Sequence, residues 1–227
     1  MTEKPILFNA EMVRAILAGQ KTQTRRVINL QPVGVLGAQM TRANDMDVFL
    51  WHGWPHMVKS GHAPVPLKCP YGEPGDLLWV RETWATDGVR DAIKPTNLPP
   101  DSHIYYRASL NEDKHEWQLH TNFGGRWRPS IHMPRWTNRI MLRIEVVRVE
   151  RVAEIEPRDA IAEGVEFAER AWAQVPARNP RRPIDYVEAF RHLWDSINAK
   201  RGFGWDANPW VWVVEFSVKR EDNKNGI

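Results

Sequence analysis

The stretch Ile16-Leu17-Ala18-Gly19-Gln20-Lys21-Thr22-Gln23-Thr24-Arg25-Arg26-Val27-Ile28 holds a helix end, a turn and a strand start within thirteen residues. Upstream of it Met12, Ile16 and Leu17 recur at helical spacing beside Val13 and Ala15, which predicts a helix over Ala10–Ala18 closed by Gly19 as a C-cap glycine. Lys21 to Ile28 alternates β-branched and polar residues, so a strand leaves the turn. The side-chain period of a strand then sets Thr22, Thr24 and Arg26 on one face and Gln23 and Arg25 on the other, with Lys21 at the turn. An amine, a hydroxyl and a guanidinium converging on one pocket can activate a nucleophile and hold an anionic or carbonyl group. The same residues also read as a solvated basic turn.

Working outward, Gly75 to Trp84 reads as a turn and a core strand, and Arg139–Arg151 alternates apolar and charged residues as a strand with one wet face. Ile155–Gly164 has Pro157 in its first turn and Gly164 at its end, the expected asymmetry of a helix. Tyr186, Val187, Phe190, Leu193, Trp194 and Ile197 form an apolar stripe on a helix over Ile184–Lys200. Trp210 to Phe216 is an almost unbroken apolar strand, expected to be buried on both faces. Between these lie stretches near 31–74, 86–135 and 166–183 that read as insertions; 31–74 shows little regular pattern, and 86–135 holds one candidate strand, His103–Arg107. Residues 221–227 read as a frayed tail. The expected fold class is α+β: one domain over residues 1–220, with a small, mostly antiparallel β-barrel, flanking helices and long loop insertions.

The chain has 227 residues, a length that buries roughly 70% of its unfolded surface without help from disulfides or metals. It has one cysteine, which rules out an intrachain disulfide and points to a reducing, cytoplasmic setting. No apolar run is long enough to span a membrane, and Met1 to Asn9 lacks a signal-peptide core. Lys plus Arg number 31 against 28 Asp plus Glu, an excess that permits a polyanionic partner without requiring one. Tryptophan is over-represented: 12 residues against 7 Phe and 4 Tyr. Indoles fill cores and also stack on bases, and position divides the two uses. Trp79, Trp194, Trp210 and Trp212 fall in periodic elements, whereas Trp51, Trp54, Trp127 and Trp136 fall in the insertions.

The run from Ile16 to Arg26 resembles the N-terminal motif of the ASCH domain family: an aliphatic pair, Ala or Asp, Gly, then Lys-Thr-x-Thr-x-Arg. Asp159-Ala160-Ile161-Ala162-Glu163-Gly164 is similar to the second motif of that family, with an acidic residue just before Gly, and Gly75-Asp76 and Trp212 to Phe216 match its strand starts. Trp79 to Trp84, Ile131 to Trp136 and Trp205 to Trp212 resemble the longer ASCH-like proteins of phages and prophages. The resemblance implies a PUA-like barrel with a cleft for RNA or a modified nucleobase. In related small bacterial enzymes it also implies hydrolysis of the N4-acetyl amide of acetylcytidine, with no metal or cofactor. Carried over residue by residue, it makes Lys21 the proton acceptor, Thr24 the nucleophile, Glu163 the proton donor, and Arg26 a substrate or oxyanion contact. This chain is about twice as long as those enzymes, so a modified-base reader that binds a nucleoside or nucleic acid without reaction, or a nuclease, stays open beside the hydrolase.

Further candidates for substrate contact are Thr22, Arg81, Glu82, His132, Arg135 and Trp136, where cations and indoles interleave as in base-stacking sites. Arg81 and Glu82 also read as an in-strand ion pair. Arg126, Trp127 and Arg128 repeat the interleaving, and Asp206 and Asn208 sit in a turn that could reach the same pocket. His52, His56, His62 and Cys69 are metal-ligand types within one loop, but their spacing fits no finger or ribbon, so scattered histidines and no metal are expected. Gly202-Phe203-Gly204-Trp205-Asp206-Ala207 fits the dinucleotide pattern by letter only, since it follows a helix and precedes a strand.

Overall fold

A computed structural model describes residues 1–29, 31, 39–42, 48–52, 65–109, 120, 123–165 and 185–219, with backbone alone for 39–42, 48–52 and 65–66. In chain order the regular elements are β1 (Glu3–Leu7), α1 (Ala10–Leu17), β2 (Gln23–Val27), β3 (Gln39–Arg42), β4 (Val48–His52), β5 (Val65–Lys68), β6 (Leu77–Arg81), β7 (Trp84–Ala85), β8 (Tyr105–Tyr106), β9 (Met141–Arg151), α2 (Pro157–Ala162), α3 (Tyr186–Asn198) and β10 (Trp210–Val218). The main sheet runs β1-β6-β9-β10-β2; β1 pairs parallel to β6, and every other pair in it is antiparallel. The α+β class and the mostly antiparallel sheet are as expected. No barrel closes, however: β1 and β2 stand at opposite edges with no ladder joining them among the described residues. The sheet curls far enough that Arg26 Nη2 on β2 donates to the Leu7 carbonyl on β1 at 2.6 Å, one side chain spanning the seam.

β10 is apolar from Trp210 to Val214 because that stretch is buried on both faces. Trp212, Val214 and Phe216 pack with Phe8, Ile16 and Leu142 on the α1 side, whereas Val211 and Val213 pack with Ile155, Phe190 and Trp194 beneath α2 and α3. Each large side chain so enclosed contributes about 1.5–3 kcal/mol of transfer free energy. β9 alternates as expected only up to Ile144. Opposite Glu215 and Phe216 the register skips Glu145, a β-bulge, and the buried set shifts from Leu142 and Ile144 to Val147. Without that extra residue the alternation would drive Arg148 into the α1-side core. With it, Arg148 and Glu150 emerge on the other face, toward Arg25.

Three segments differ from expectation. The 31–74 insertion carries an antiparallel three-stranded sheet, β3-β4-β5, rather than little regular structure, with the apolar run Val48-Phe49-Leu50-Trp51 in its middle strand. β1 carries no alternating signal, because at a parallel edge only Ile6 of its five residues is buried and Pro5 is tolerated there. The 86–135 segment wraps Trp84, Leu98 and Met133 in short 3₁₀ turns, and its candidate strand shortens to Tyr105–Tyr106. Residues 166–183 and 221–227 lie outside the described residues, as do Trp54, His56 and His62. No helix of the described residues is long and apolar enough to cross a membrane.

Candidate functional site

Two helix ends build the site. Asn9 caps α1, accepting from Met12 N at 2.8 Å. At its other end Gln20 N bonds Ala15 O at 2.8 Å and Gly19 N bonds Ile16 O at 3.0 Å, the paired pattern of a Schellman turn, with Gly19 at φ 71°. That turn sends the chain straight back, so Lys21 N also reaches Ala15 O, at 3.0 Å. α2 ends the same way, with Glu163 as its C-cap and Gly164 at φ 80°. The two ends meet in an isolated bridge between Lys21 and Glu163, and Thr22 N bonds Ala162 O at 2.9 Å. A Cβ at Gly164 would lie 3.1 Å from Lys21 Cβ and 3.2 Å from Ala15 Cβ, so only glycine allows the ends to approach this closely.

Lys21 and Glu163 are 2% and 5% exposed, which makes theirs a buried ion pair rather than a surface one. Lys21 Nζ donates to Glu163 Oε2 at 3.0 Å, to Glu163 O at 2.8 Å and to Gln23 O at 2.8 Å, using all three ammonium hydrogens. Burial lowers its pKa from the ordinary lysine value, opposed by the Glu163 charge and hydrogen bond and reinforced by Arg26 and Arg25. The bond to Gln23 O holds the amine against the peptide that leads into Thr24.

Arg25, expected simply on the face away from Thr24, is the hub of a buried network. It reaches Glu163 at 3.3 Å, Glu150 at 2.9 Å and Asp159 at 3.0 Å. Arg148 joins at Asp159 (3.1 Å) and Gln23 (3.0 Å) and also pairs with Glu150 and Glu215. The Glu163 carboxylate is therefore held from two sides, by an ammonium on one oxygen and a guanidinium on the other.

Beside it a cavity of about 340 Å³ opens between β2, α3 and Tyr71. Thr24, Arg26 and Glu163 line it, with Phe190, Trp194 and Trp212 as an aromatic wall and Asn198 and Arg201 at the end of α3. Among the described residues the Thr24 hydroxyl makes no hydrogen bond, although the residue is only 3% exposed.

Of the residues singled out in the sequence, Thr24, Glu163 and Arg26 line this cavity, and Lys21 lies outside the lining, bonded to Glu163. The others lie elsewhere. Thr22 is exposed and lines a separate groove with Gln23, Glu145 and Arg158, because Lys21 and Thr22 precede the regular strand and its alternation. Arg81 lies over Trp79 and donates to the Ile131 carbonyl. Glu82 is buried in a two-point pair with Arg139, at 2.8 and 2.9 Å, rather than paired with its neighbour Arg81. Arg135 is held by Glu3 at 2.8 Å, and His132 and Trp136 are exposed in 3₁₀ turns outside the cavity lining. Trp127 stacks on His120 at 4.3 Å, Asp206 pairs with Arg191, and the Asn208 side chain accepts from Ala153 N. Cys69 is buried and its thiol is pushed up to about 11 by desolvation. Tyr71, Asn198 and Arg201 carried no sequence signal, being brought in by tertiary contact alone. Trp194 and Trp212 read as core and are both core and cavity wall.

Two solved structures align along nearly the whole chain. A DUF984 protein of Enterococcus faecalis V583 is 8% identical, with 100% of this chain and 86% of that one covered at a TM-score of 0.39. An ASCH domain of Lactobacillus crispatus JV V101 is 11% identical, with 96% of this chain and 79% of that one covered at a TM-score of 0.35; it bears the name of the family that the motifs resemble. No protein-family model and no curated protein matches the chain.

Proposed function

We propose that this cavity takes a modified nucleobase and that Thr24, Lys21 and Glu163 hydrolyse an N4-acyl amide of cytidine within it. The observation that carries the reading is the convergence of Lys21 and Glu163, 142 positions apart, in a 3.0 Å buried hydrogen bond, with Glu163 and Thr24 lining the same cavity. An ammonium with three acceptors has no lone pair for Thr24. One proton shift along the Lys21–Glu163 hydrogen bond supplies one: it leaves a neutral amine and a neutral carboxylic acid, and burial favours that uncharged pair. The amine takes the Thr24 proton as Oγ1 attacks the acyl carbon. Glu163 then protonates the departing N4, leaving acyl-threonine, free cytidine and the restored ion pair. A second proton shift prepares the pair for water, which releases the acid and returns the hydroxyl to Thr24.

Incubation with N4-acetylcytidine, followed for cytidine release, tests the reading. Thr24→Ala and Lys21→Ala should each lower turnover by about 10⁴-fold or more, as loss of a nucleophile or its base does elsewhere. Release that survives Thr24→Ala refutes the assignment. The binding-only alternative is favoured by one observation, the full occupancy of the Lys21 donors, and it predicts nucleoside binding with no turnover.

A further inference from the structure

Among the described residues, four charged side chains line the cavity: Arg25, Arg26, Glu163 and Arg201. Two are neutralised within the protein, Glu163 by Lys21 and Arg25 by Glu150 and Asp159. Arg26 and Arg201 are not: among the described residues neither has a carboxylate within ion-pair distance. Arg26 uses one N–H on Leu7 O, and its Nε is buried without a partner. Arg201, exposed at the cavity rim, uses one N–H on Asn198 Oδ1 at 3.2 Å. Tyr71 lies in the same wall, and burial raises its phenol above the ordinary value, so it is a neutral O–H donor at neutral pH.

The cavity is therefore two-sided. Phe190, Trp194 and Trp212 form the apolar side, and Arg26, Arg201 and Tyr71 the polar one: among the described residues the two arginines have one hydrogen bond each, and Arg26 Nε has none. Two like charges in one half-dry cleft repel, and among the described residues neither has a carboxylate at contact distance. Burial is the main cost of holding Arg26 here; Arg201 adds to it, and Glu163, already paired with Lys21 and Arg25, offsets it only in part. A tetrahedral oxyanion removes both costs, because guanidinium forks match phosphate geometry.

We infer that Arg26, Arg201 and Tyr71 form a phosphate subsite, and that the cavity takes a nucleoside monophosphate, with its base against the tryptophans, in preference to an uncharged nucleoside. The phosphate part stands on the unpaired arginines, and the base part rests on the nucleobase reading given above. A cavity of about 340 Å³ is at the small end of the range for ligand sites, suited to one nucleotide rather than a strand.

Calorimetric titration of the full chain with cytidine, cytidine 5′-monophosphate and inorganic phosphate tests this. Cytidine monophosphate should bind at least about tenfold tighter than cytidine, an advantage that shrinks with added salt. Phosphate should compete with it. Arg201→Gln, at an exposed position where folding is not at stake, should abolish the advantage. Equal binding of nucleoside and nucleotide, or an advantage that survives Arg201→Gln, overturns the subsite while leaving the nucleobase reading in place. Phosphate binding that depends on Arg201, with cytidine unbound, supports the subsite and overturns the nucleobase reading. Binding of none of the three overturns both.

Discussion

Glu163→Gln removes one negative charge from the most enclosed part of the molecule and changes almost no volume. The carboxylate serves Lys21 at 3.0 Å and Arg25 at 3.3 Å. Arg25 keeps Glu150 and Asp159, so it stays neutralised; Lys21, 2% exposed, keeps only carbonyl oxygens. An orphaned buried charge costs about 3–5 kcal/mol. The variant escapes a larger penalty by folding with Lys21 neutral, which from an ordinary lysine pKa of about 10.4 costs about 4.6 kcal/mol at pH 7. The two estimates agree, and for a chain of 227 residues they correspond to a fall in Tm of roughly 6–20 °C. The direction with pH then follows. A folded lysine held below its unfolded pKa means that the unfolded chain binds more protons, so stability rises with pH by up to about 1.4 kcal/mol per unit across that window. The cost of holding Lys21 neutral in the variant, about 4.6 kcal/mol at pH 7, should therefore shrink to about 2 kcal/mol at pH 9. Thermal and urea unfolding followed by circular dichroism at pH 7 and pH 9 measures it. Adding Lys21→Met should restore most of the loss, because removing both partners of a buried pair is far milder than removing one. A penalty that does not change with pH, or a double variant no more stable than Glu163→Gln alone, would refute the account of the pair.

The proposed hydrolysis should show a bell-shaped pH profile, since the active pair carries one proton to share. Burial of Lys21 places the alkaline limb below the ordinary lysine range, and stopped assays across pH read it. Gly164→Ala and Gly19→Ala make a matched pair, since both positions have positive φ but only the first is crowded. Denaturant titration should give about 1–2 kcal/mol lost at Gly19 and more at Gly164, where turnover also falls because the new methyl displaces Lys21. Equal losses at the two glycines would show that the close approach of the helix ends carries no energetic weight.

Much of this architecture is legible in the sequence. α1, α2, α3, β9 and β10 fall within about two residues of where periodicity and caps put them, because each has a strong apolar period and a glycine, proline or capping side chain at its boundary. β1 was not legible, since a parallel edge strand with one buried residue has no period to read. The bulge in β9 was hidden as well: only pairing with β10 reveals that Glu145 is surplus, and that one residue decides that Arg148 joins Arg25. At the site, motif resemblance brought together Lys21, Thr24, Arg26 and Glu163. The interleaving of cations and indoles nominated Arg135 and Trp136, and Glu82 stood between ion pair and pocket residue; their charges and rings are engaged or exposed elsewhere. A residue such as Arg201, on the last turn after α3, contributes through where a helix ends, and one-dimensional spacing carries no record of that.

The single guanidinium that joins Arg26 to the Leu7 carbonyl gives the open sheet an unusual form of tension control. β1 is held along one side by a full ladder to β6 and tied to β2 across the seam by this hydrogen bond, so a ligand that draws on Arg26 also draws on the clasp of the first strand. Amide hydrogen exchange along β1 would then report occupancy of a cavity whose lining includes no β1 residue, making the seam an intrinsic gauge of the site it borders.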